Sequence, residues 1–335
     1  MQRKFSVIVP AFNAADTIGT CLQSLLRQSY PVSEIIVVDD GSIDKTSQAT
    51  SLYPVKVMRT SHAGASRARN LGFSQCSGDI VLFAEADGIY DDKYVENIIV
   101  HFSGPKVGAV LCPRFPILDG SISAKCMDAL WRIRKERYSA GKLKPLAPHV
   151  FSRSAFTAIG GYDEALTTAE EWDMGLRLKA AGYEIRYAPN AFFLHREGDI
   201  LELFATAFRS ALSKVYYKGF KAGGFGAVKT PTYIKHKSLV PWRKLAAISA
   251  FGLTFVVSKF LAPQLTLILF SSAVIGVVLA DSLLLLKTGW RVVGSKTFIL
   301  ALPWIGLVRN IISTVGIIVG VVMLVFSRIK KRLMV

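Results

Sequence analysis

The sequence predicts an α/β domain built on a mixed, mainly parallel sheet with flanking helices, followed by a C-terminal all-α transmembrane region. Three observations carry this. Short apolar runs alternate with stretches of helical periodicity up to about residue 240. After Lys244 the composition turns mostly apolar. Acidic residues recur just past the apolar runs, at the strand ends where such sheets bind ligands.

Residues 5–9, ending at Pro10, read as a buried parallel strand. Asp16 is placed to cap a helix to about Arg27, with Ile18, Leu22, Leu25 and Leu26 on one face. Residues 34–39 form a second buried strand, followed by the turn Asp40-Gly41-Ser42. A short helix near Thr46, a strand at 55–59, a helix at about 64–76 and a strand at 79–83 continue a rhythm that implies right-handed crossovers. A strand near 107–112 and a helix at about 124–139 follow. A helix at 170–181 closed by Gly182 leads to a strand at 183–188. Leu201, Phe204, Phe208, Leu212 and Val215 then make one apolar stripe, with Arg209, Lys214 and Lys218 off it. The stripe fits either a helix packed on the domain or one lying in a bilayer interface.

Residues 245–286 carry only Lys259 and Asp281 as charges. One span needs about 20 residues, so two spans with a turn near 259–263 fit. Residues 298–326, broken by Pro303 and Arg309, fit an interfacial piece plus one span, or a re-entrant hairpin. The expected layout is a catalytic-type domain over 1–225, with halves at about 1–100 and 101–225 and the amphipathic helix at about 199–220. A basic linker covers 226–244. A membrane region over 245–335 has two to four helical segments, at about 245–262, 264–286 and 298–326. Trp242, Trp290 and Trp304 fall where an aromatic belt would, and the flanking Lys and Arg favour a multi-pass cell-membrane protein whose large domain faces the cytoplasm.

Lys and Arg number 41 against 24 Asp and Glu, a formal charge of +17. The cations concentrate at 132–144, at 209–244 and beside the apolar segments. Anionic lipid attracts each such cation by about 1 kcal/mol, which accounts for the charge. No RNA-binding or zinc-finger signature is present, so nucleic acid is not an expected partner. Cys21, Cys76, Cys112 and Cys126 show no CxxC spacing and read as reduced core residues of a cytosolic domain. The run 5–9 is too short for a signal peptide. Oligomeric state is left open.

Five groups can carry chemistry, each with a structural alternative. Asp39-Asp40-Gly41 can bind a base or ribose, or simply make a turn that caps the next helix. Glu85-Ala86-Asp87 can share a hard divalent cation with a diphosphate, or form a solvated acidic loop. Glu170, Glu171 and Asp173 can supply a general base, or serve a helix N-terminus, with Asp173 and Arg177 an ordinary i,i+4 pair. His195 is a core residue unless it reaches the metal of Asp87. Arg67, Arg69 and Asn70, after a Gly-bearing turn, make an anion pocket or a basic helix face.

The order of these segments resembles glycosyltransferase family 2 over about residues 5–195. Phe5-Ser-Val-Ile-Val-Pro-Ala-Phe-Asn13, Ile36-Val-Val-Asp-Asp-Gly-Ser42 and Gly64-Ala-Ser-Arg-Ala-Arg-Asn70 come first. Glu85-Ala-Asp87, Gly160-Gly-Tyr-Asp-Glu164 and Glu170-Glu-Trp-Asp173 follow. The resemblance implies a GT-A fold and a nucleotide-diphosphate sugar donor. It puts Asp39 or Asp40 against the base, with Pro10, Phe12, Asn13, Arg67, Arg69, Asn70, Glu85 and Ala86 around the donor. Glu85 and Asp87 stand at the DXD positions, so Mg2+ or Mn2+ is the expected cofactor, with His195 a further ligand. Glu171 stands where the family usually has the Asp of a Glu-Asp pair, and the base is one of Glu170, Glu171 and Asp173. Gly161, Tyr162, Arg177, Arg209 and Lys214 are expected on the acceptor or phosphate side. Glu85 replaces the first Asp of DXD, and Gly88 replaces a frequent third Asp. No Gln-x-x-Arg-Trp follows Asp173, which favours single transfer over polymer extension. Membrane spans favour a polyprenyl phosphate or lipid-linked glycan as acceptor. The alternative is a catalytically idle membrane subunit that binds nucleotide sugar or a partner enzyme.

Overall fold

The computed structural model describes residues 3–166, 170–198 and Glu202. The expected amphipathic helix with Arg209 and Lys214, the linker and the membrane segments lie outside the described residues. Among the described residues no helix is long and apolar enough to cross a membrane.

The chain begins with β1 (Phe5–Ala11), α1 (Ile18–Leu26), β2 (Glu34–Asp39), α2 (Thr46–Thr50), β3 (Lys56–Arg59), α3 (Ala65–Gln75) and β4 (Ile80–Phe83). It continues through β5 (Ile89–Tyr90), α4 (Tyr94–Ile99), β6 (Val107–Leu111), β7 (Arg114–Pro116), α5 (Ile122–Ser139), β8 (Val150–Ser152) and α6 (Arg153–Ala158). The last elements are α7 (Glu170–Ala180), β9 (Glu184–Tyr187) and β10 (Phe193–His195). Seven strands form one sheet in the order β3-β2-β1-β4-β8-β6-β9, and β5-β10-β7 form a second. In the large sheet only β8 runs antiparallel to its neighbours. The mixed, mainly parallel sheet is the expected one.

Alternation along β1 explains the layering. Phe5, Val7 and Val9 join a cluster with Ile18, Leu22 and Leu25 of α1, while Ile8 joins Ala68 of α3, Phe156 of α6 and Met174 and Leu178 of α7. A strand covered on both faces needs a mostly apolar run, which 35–38 supply throughout and 5–9 supply but for Ser6, whose buried hydroxyl donates to Glu34 at 2.7 Å. Pro10 pairs with Val38 only, past the point where β4 stops at Ile8, so its missing N–H costs the ladder nothing on that side.

Two details differ from expectation. Asp16 does not cap α1: the helix starts at Ile18, and the N-cap position belongs to Thr17, with no side-chain capping bond. The short elements β5, β7, β8, β10, α4 and α6 carry too few residues for periodicity to mark them. The stop of α7 is as expected. Gly182 takes φ +83°, with Tyr183 N–H bonded to Leu178 O at 3.0 Å and Gly182 N–H to Lys179 O at 3.1 Å, a Schellman closure.

Glycines set two close approaches. A Cβ on Gly72 of α3 would strike Ile8 Cγ2, and one on Gly175 of α7 would strike the carbonyl oxygen of Leu146. The first obstacle is a side chain, the second is backbone that cannot yield without moving the loop before β8. Gly175→Ala is expected to cost about 1–3 kcal/mol in urea denaturation, with the transition cooperative.

Candidate functional site

Because β1, β2 and β4 are parallel, their carboxyl ends open on one edge. The loops leaving that edge carry most of the candidate residues.

Asp39 and Asp40 are buried and engaged by their own chain. Asp39 accepts from Ser42 N–H at 2.8 Å and from the Ser47 hydroxyl, and Arg59 lies 4.0 Å away. Burial pushes its carboxyl upward, but the bonds from Ser42 and Ser47 and the Arg59 charge outweigh it and hold the group below the usual range. Asp40 accepts from Ala63 and Gly64 N–H, both at 2.9 Å, and sits 3.0 Å from His62 Nδ1. It thereby fixes the turn that starts α3. Asn13 takes φ +49°. Its N–H donates to Ser42 Oγ at 2.9 Å, and its side chain accepts from Ile43 N–H at 3.0 Å. Beside it Phe12, 45% exposed, stacks on His62 with ring centres 4.0 Å apart.

Glu85, Ala86 and Asp87 follow β4. Glu85 N–H donates to the Tyr90 hydroxyl at 2.8 Å, and Gly88 N–H closes on Glu85 O at 3.0 Å. Ala86 packs on the core, turning its neighbours outward. Strand β10 pairs with β5 and β7, which brings His195 to this loop from more than a hundred residues away. Its Nδ1 lies 3.1 Å from Asp87 Oδ2. One ligand atom each from Glu85, Asp87 and His195 fall within 4.8 Å of one another. Burial disfavours both charges. The His195–Asp87 bond still holds Asp87 below the carboxylate range and, with the Glu85 charge, lifts His195 above the usual imidazole value. Two carboxylates and one imidazole are a fitting donor set for Mg2+ or Mn2+.

The second cluster forms at the start of α7. Arg69 NH1 meets Glu170 Oε1 at 3.2 Å, NH2 lies 3.6 Å from Glu171 Oε1, and the guanidinium stands 5.1 Å from the Tyr162 ring centre. Arg67 is exposed. Asn70 grips the backbone of Tyr162 in both directions, N–H to Oδ1 at 2.9 Å and Nδ2 to carbonyl at 2.9 Å, and reaches Glu164 at 3.0 Å. Asp173 is fully buried against Arg177 at 2.6 Å, and Arg177 also donates to the carbonyls of Ile159 and Gly161. That pair holds the 159–164 loop. Glu171 is different: burial, then the charge of Glu170, raise its carboxyl, with Arg69 opposing. The Glu85 charge adds a smaller push in the same upward direction.

Sequence reasoning missed three residues here. Arg114 of β7 pairs with Glu85 at 3.1 Å and lies over the Trp131 ring at 5.1 Å. His149, at the head of β8, bonds the Tyr94 hydroxyl at 3.0 Å, and burial drops its pKa to about 4. Glu197 Oε1 lies 3.6 Å from His195 Nε2. Only Glu197 had a signal, its place two residues after His195; the other two arrive through pairing of three-residue strands.

Residues 6–157 match the family model described as Glycosyl transferase family 2. The chain is 38% identical over 97 residues to the "Uncharacterized glycosyltransferase YibD" of Escherichia coli (strain K12), covering 27% of this chain and 28% of that protein. It is 29% identical over 209 residues to the pre-mycofactocin glycosyltransferase of Mycobacterium tuberculosis (strain ATCC 25618 / H37Rv), covering 58% and 43%. The chain thus spans less than half the length of either relative. It superposes on the mannosyltransferase PcManGT from Pyrobaculum calidifontis, solved with GDP-Man and Mn2+, at TM-score 0.57 and 20% identity, over 95% of this chain and 88% of that one. At that identity the likeness shows the fold, a GT-A-like mixed α/β fold. The family match ends before α7 and β10, so Glu170, Glu171 and His195 lie beyond it.

Asp173 and Glu171 are expected to separate experimentally. Asp173→Ala leaves Arg177 without its buried partner and should cost about 3–5 kcal/mol in urea denaturation. Glu171→Gln should leave the denaturation midpoint near that of the unaltered protein.

Proposed function

We propose that the chain, whose residues 6–157 match the model of glycosyl transferase family 2, transfers a sugar from a nucleotide-diphosphate sugar to a membrane-associated acceptor, with inversion at the sugar carbon. The observation that carries the reading is the convergence of Glu85, Asp87 and His195 on one point. The GDP-Man and Mn2+ bound by the fold neighbour support a nucleotide-sugar donor. A polyprenyl phosphate or lipid-linked glycan is the acceptor favoured by the apolar composition after Lys244 and the cations beside it. The same sequence features support a location at a cell membrane, with the described domain on the cytoplasmic side.

Glu85, Asp87 and His195 would hold Mg2+ or Mn2+, which when bound neutralises charge on the departing diphosphate. Arg114 keeps Glu85 turned toward that point. Asp39 and Asp40 shape the donor pocket by fixing its loops, and the exposed Phe12–His62 stack offers a flat face for the base. Glu171 takes the proton of an acceptor hydroxyl; its raised carboxyl suits a general base near neutral pH. Arg69 holds Glu170 and Glu171 in place. With a phosphate acceptor, little base catalysis is needed, and Glu171 orients rather than deprotonates.

The test uses the full-length protein in detergent, Mn2+ or Mg2+, a membrane lipid extract and a panel of radiolabelled nucleotide sugars. One donor is consumed, and Asp87→Ala reduces transfer into lipid to background; near-normal transfer by that variant sinks the reading. With a hydroxyl acceptor, kcat/KM falls as pH drops through the raised Glu171 pKa. Glu170→Gln removes a like charge and moves that acid limb to lower pH, whereas Arg69→Gln removes a cation and moves it to higher pH.

A further inference from the structure

We infer that Glu197 is the positioning residue for His195: its carboxylate takes the Nε2–H of the imidazole and leaves the Nδ1 lone pair aimed at the point shared with Glu85 and Asp87. The inference rests on the metal-site reading above and adds to it a residue outside the ligand set.

His195 has an acidic neighbour at each ring nitrogen. Nδ1 faces Asp87 Oδ2 at 3.1 Å, and Nε2 faces Glu197 Oε1 at 3.6 Å. An imidazole that ligates through Nδ1 must carry its proton on Nε2. A half-buried N–H then needs an acceptor. The waiting acceptor is visible: Glu197 Oε1 is buried, and among the described residues it has no hydrogen-bond donor. A buried carboxylate oxygen left without a donor is costly, and one left so beside a ring nitrogen has an evident use.

At 3.6 Å the pair is just too long for a hydrogen bond, and it closes with a shift of about 0.7 Å. Without a cation, a ring protonated at Nδ1 would donate to Asp87. Nδ1 as a ligand to a cation would leave the ring proton on Nε2, where Glu197 would accept it as a hydrogen bond. No bond to carbon is made or broken; one proton changes its nitrogen. The arrangement makes the imidazole more basic toward a cation without adding a fourth ligand.

The experiment measures Mn2+ binding to the full-length protein in detergent by electron paramagnetic resonance, with no substrate and no turnover. Glu197→Ala is expected to weaken Mn2+ binding about 10- to 100-fold. Glu197→Gln, whose side-chain oxygen can still accept the N–H, should recover most of the loss. The nitrogen modulation of a coordinated imidazole in pulsed spectra should fade in Glu197→Ala and persist in Glu197→Gln. In a His195→Ala background, Glu197→Ala should bring no further loss, because its effect runs through the ring. Unchanged Mn2+ affinity in Glu197→Ala, with Asp87→Ala strongly weakened, overturns the role of Glu197 and leaves the metal site standing. A loss in the double variant equal to the sum of both single losses also overturns it. Unchanged affinity in Asp87→Ala overturns the metal site and this inference together. Matching thermal melts of Glu197→Gln and the unaltered protein separate a loss of binding from a loss of fold.

Discussion

The side-chain amide of Asn70 is the joint on which the site depends. It lies on α3, which Gly72 allows to rest on β1, and it pairs with the backbone of Tyr162, ninety-two residues away, as one strand would pair with another. The loop it holds offers the carbonyls of Ile159 and Gly161 to Arg177, and Arg177 is bound to Asp173 of α7. The first turn of α7 returns Glu170 and Glu171 to Arg69, one residue before Asn70. The path is closed: α3 to loop, loop to α7, α7 to α3. Gly161 fits this joint for two reasons. It takes φ +71°, and a Cβ there would stand 2.8 Å from Asn70 Oδ1.

The acidic residues divide by what surrounds them. Asp39, Asp40 and Asp173 are buried and spend their oxygens on the chain's own N–H groups, hydroxyls and guanidinium. Glu85, Asp87, Glu170 and Glu171 remain partly exposed. Four carboxylates in one region would repel, and Arg69 and Arg114 are interleaved with them. These arginines are held by aromatic rings, Tyr162 and Trp131, which keep the guanidinium planes from following the charge.

The apolar runs within β1, β2 and β4 were legible because strands covered on both faces are apolar along most of their length. The helices α3, α5 and α7 were legible from their length and periodicity, and Gly182 from the turn it permits. The residues at strand ends were legible as a set: Asp39, Glu85 and Asp87 do lie at one edge of the sheet. What each carboxylate touches was not. Whether an Asp after a strand faces solvent or its own loop depends on the path of the next ten residues, as at Asp40 with Ala63 and Gly64. Arg69 stands in a motif associated with the nucleotide, yet its contacts are with Glu170, Glu171 and Tyr162. Strands of two or three residues, β5, β7, β8 and β10, carry no readable period, and they deliver Arg114, His149 and His195.

The place of β8 in the sheet has a consequence during synthesis. The order β3-β2-β1-β4 uses only the first 83 residues, but β4 borders β8, and β8 begins at Val150. At 5–20 residues per second, the ribosome takes roughly 3–14 s to deliver the strand that covers that edge. During this interval Ile80, Val81, Leu82 and Phe83, all buried in the finished sheet, present an open, apolar strand to the cell. The β4 edge is therefore open to mispairing until β8 arrives, and chaperone demand at that edge should fall once residue 152 has left the exit tunnel.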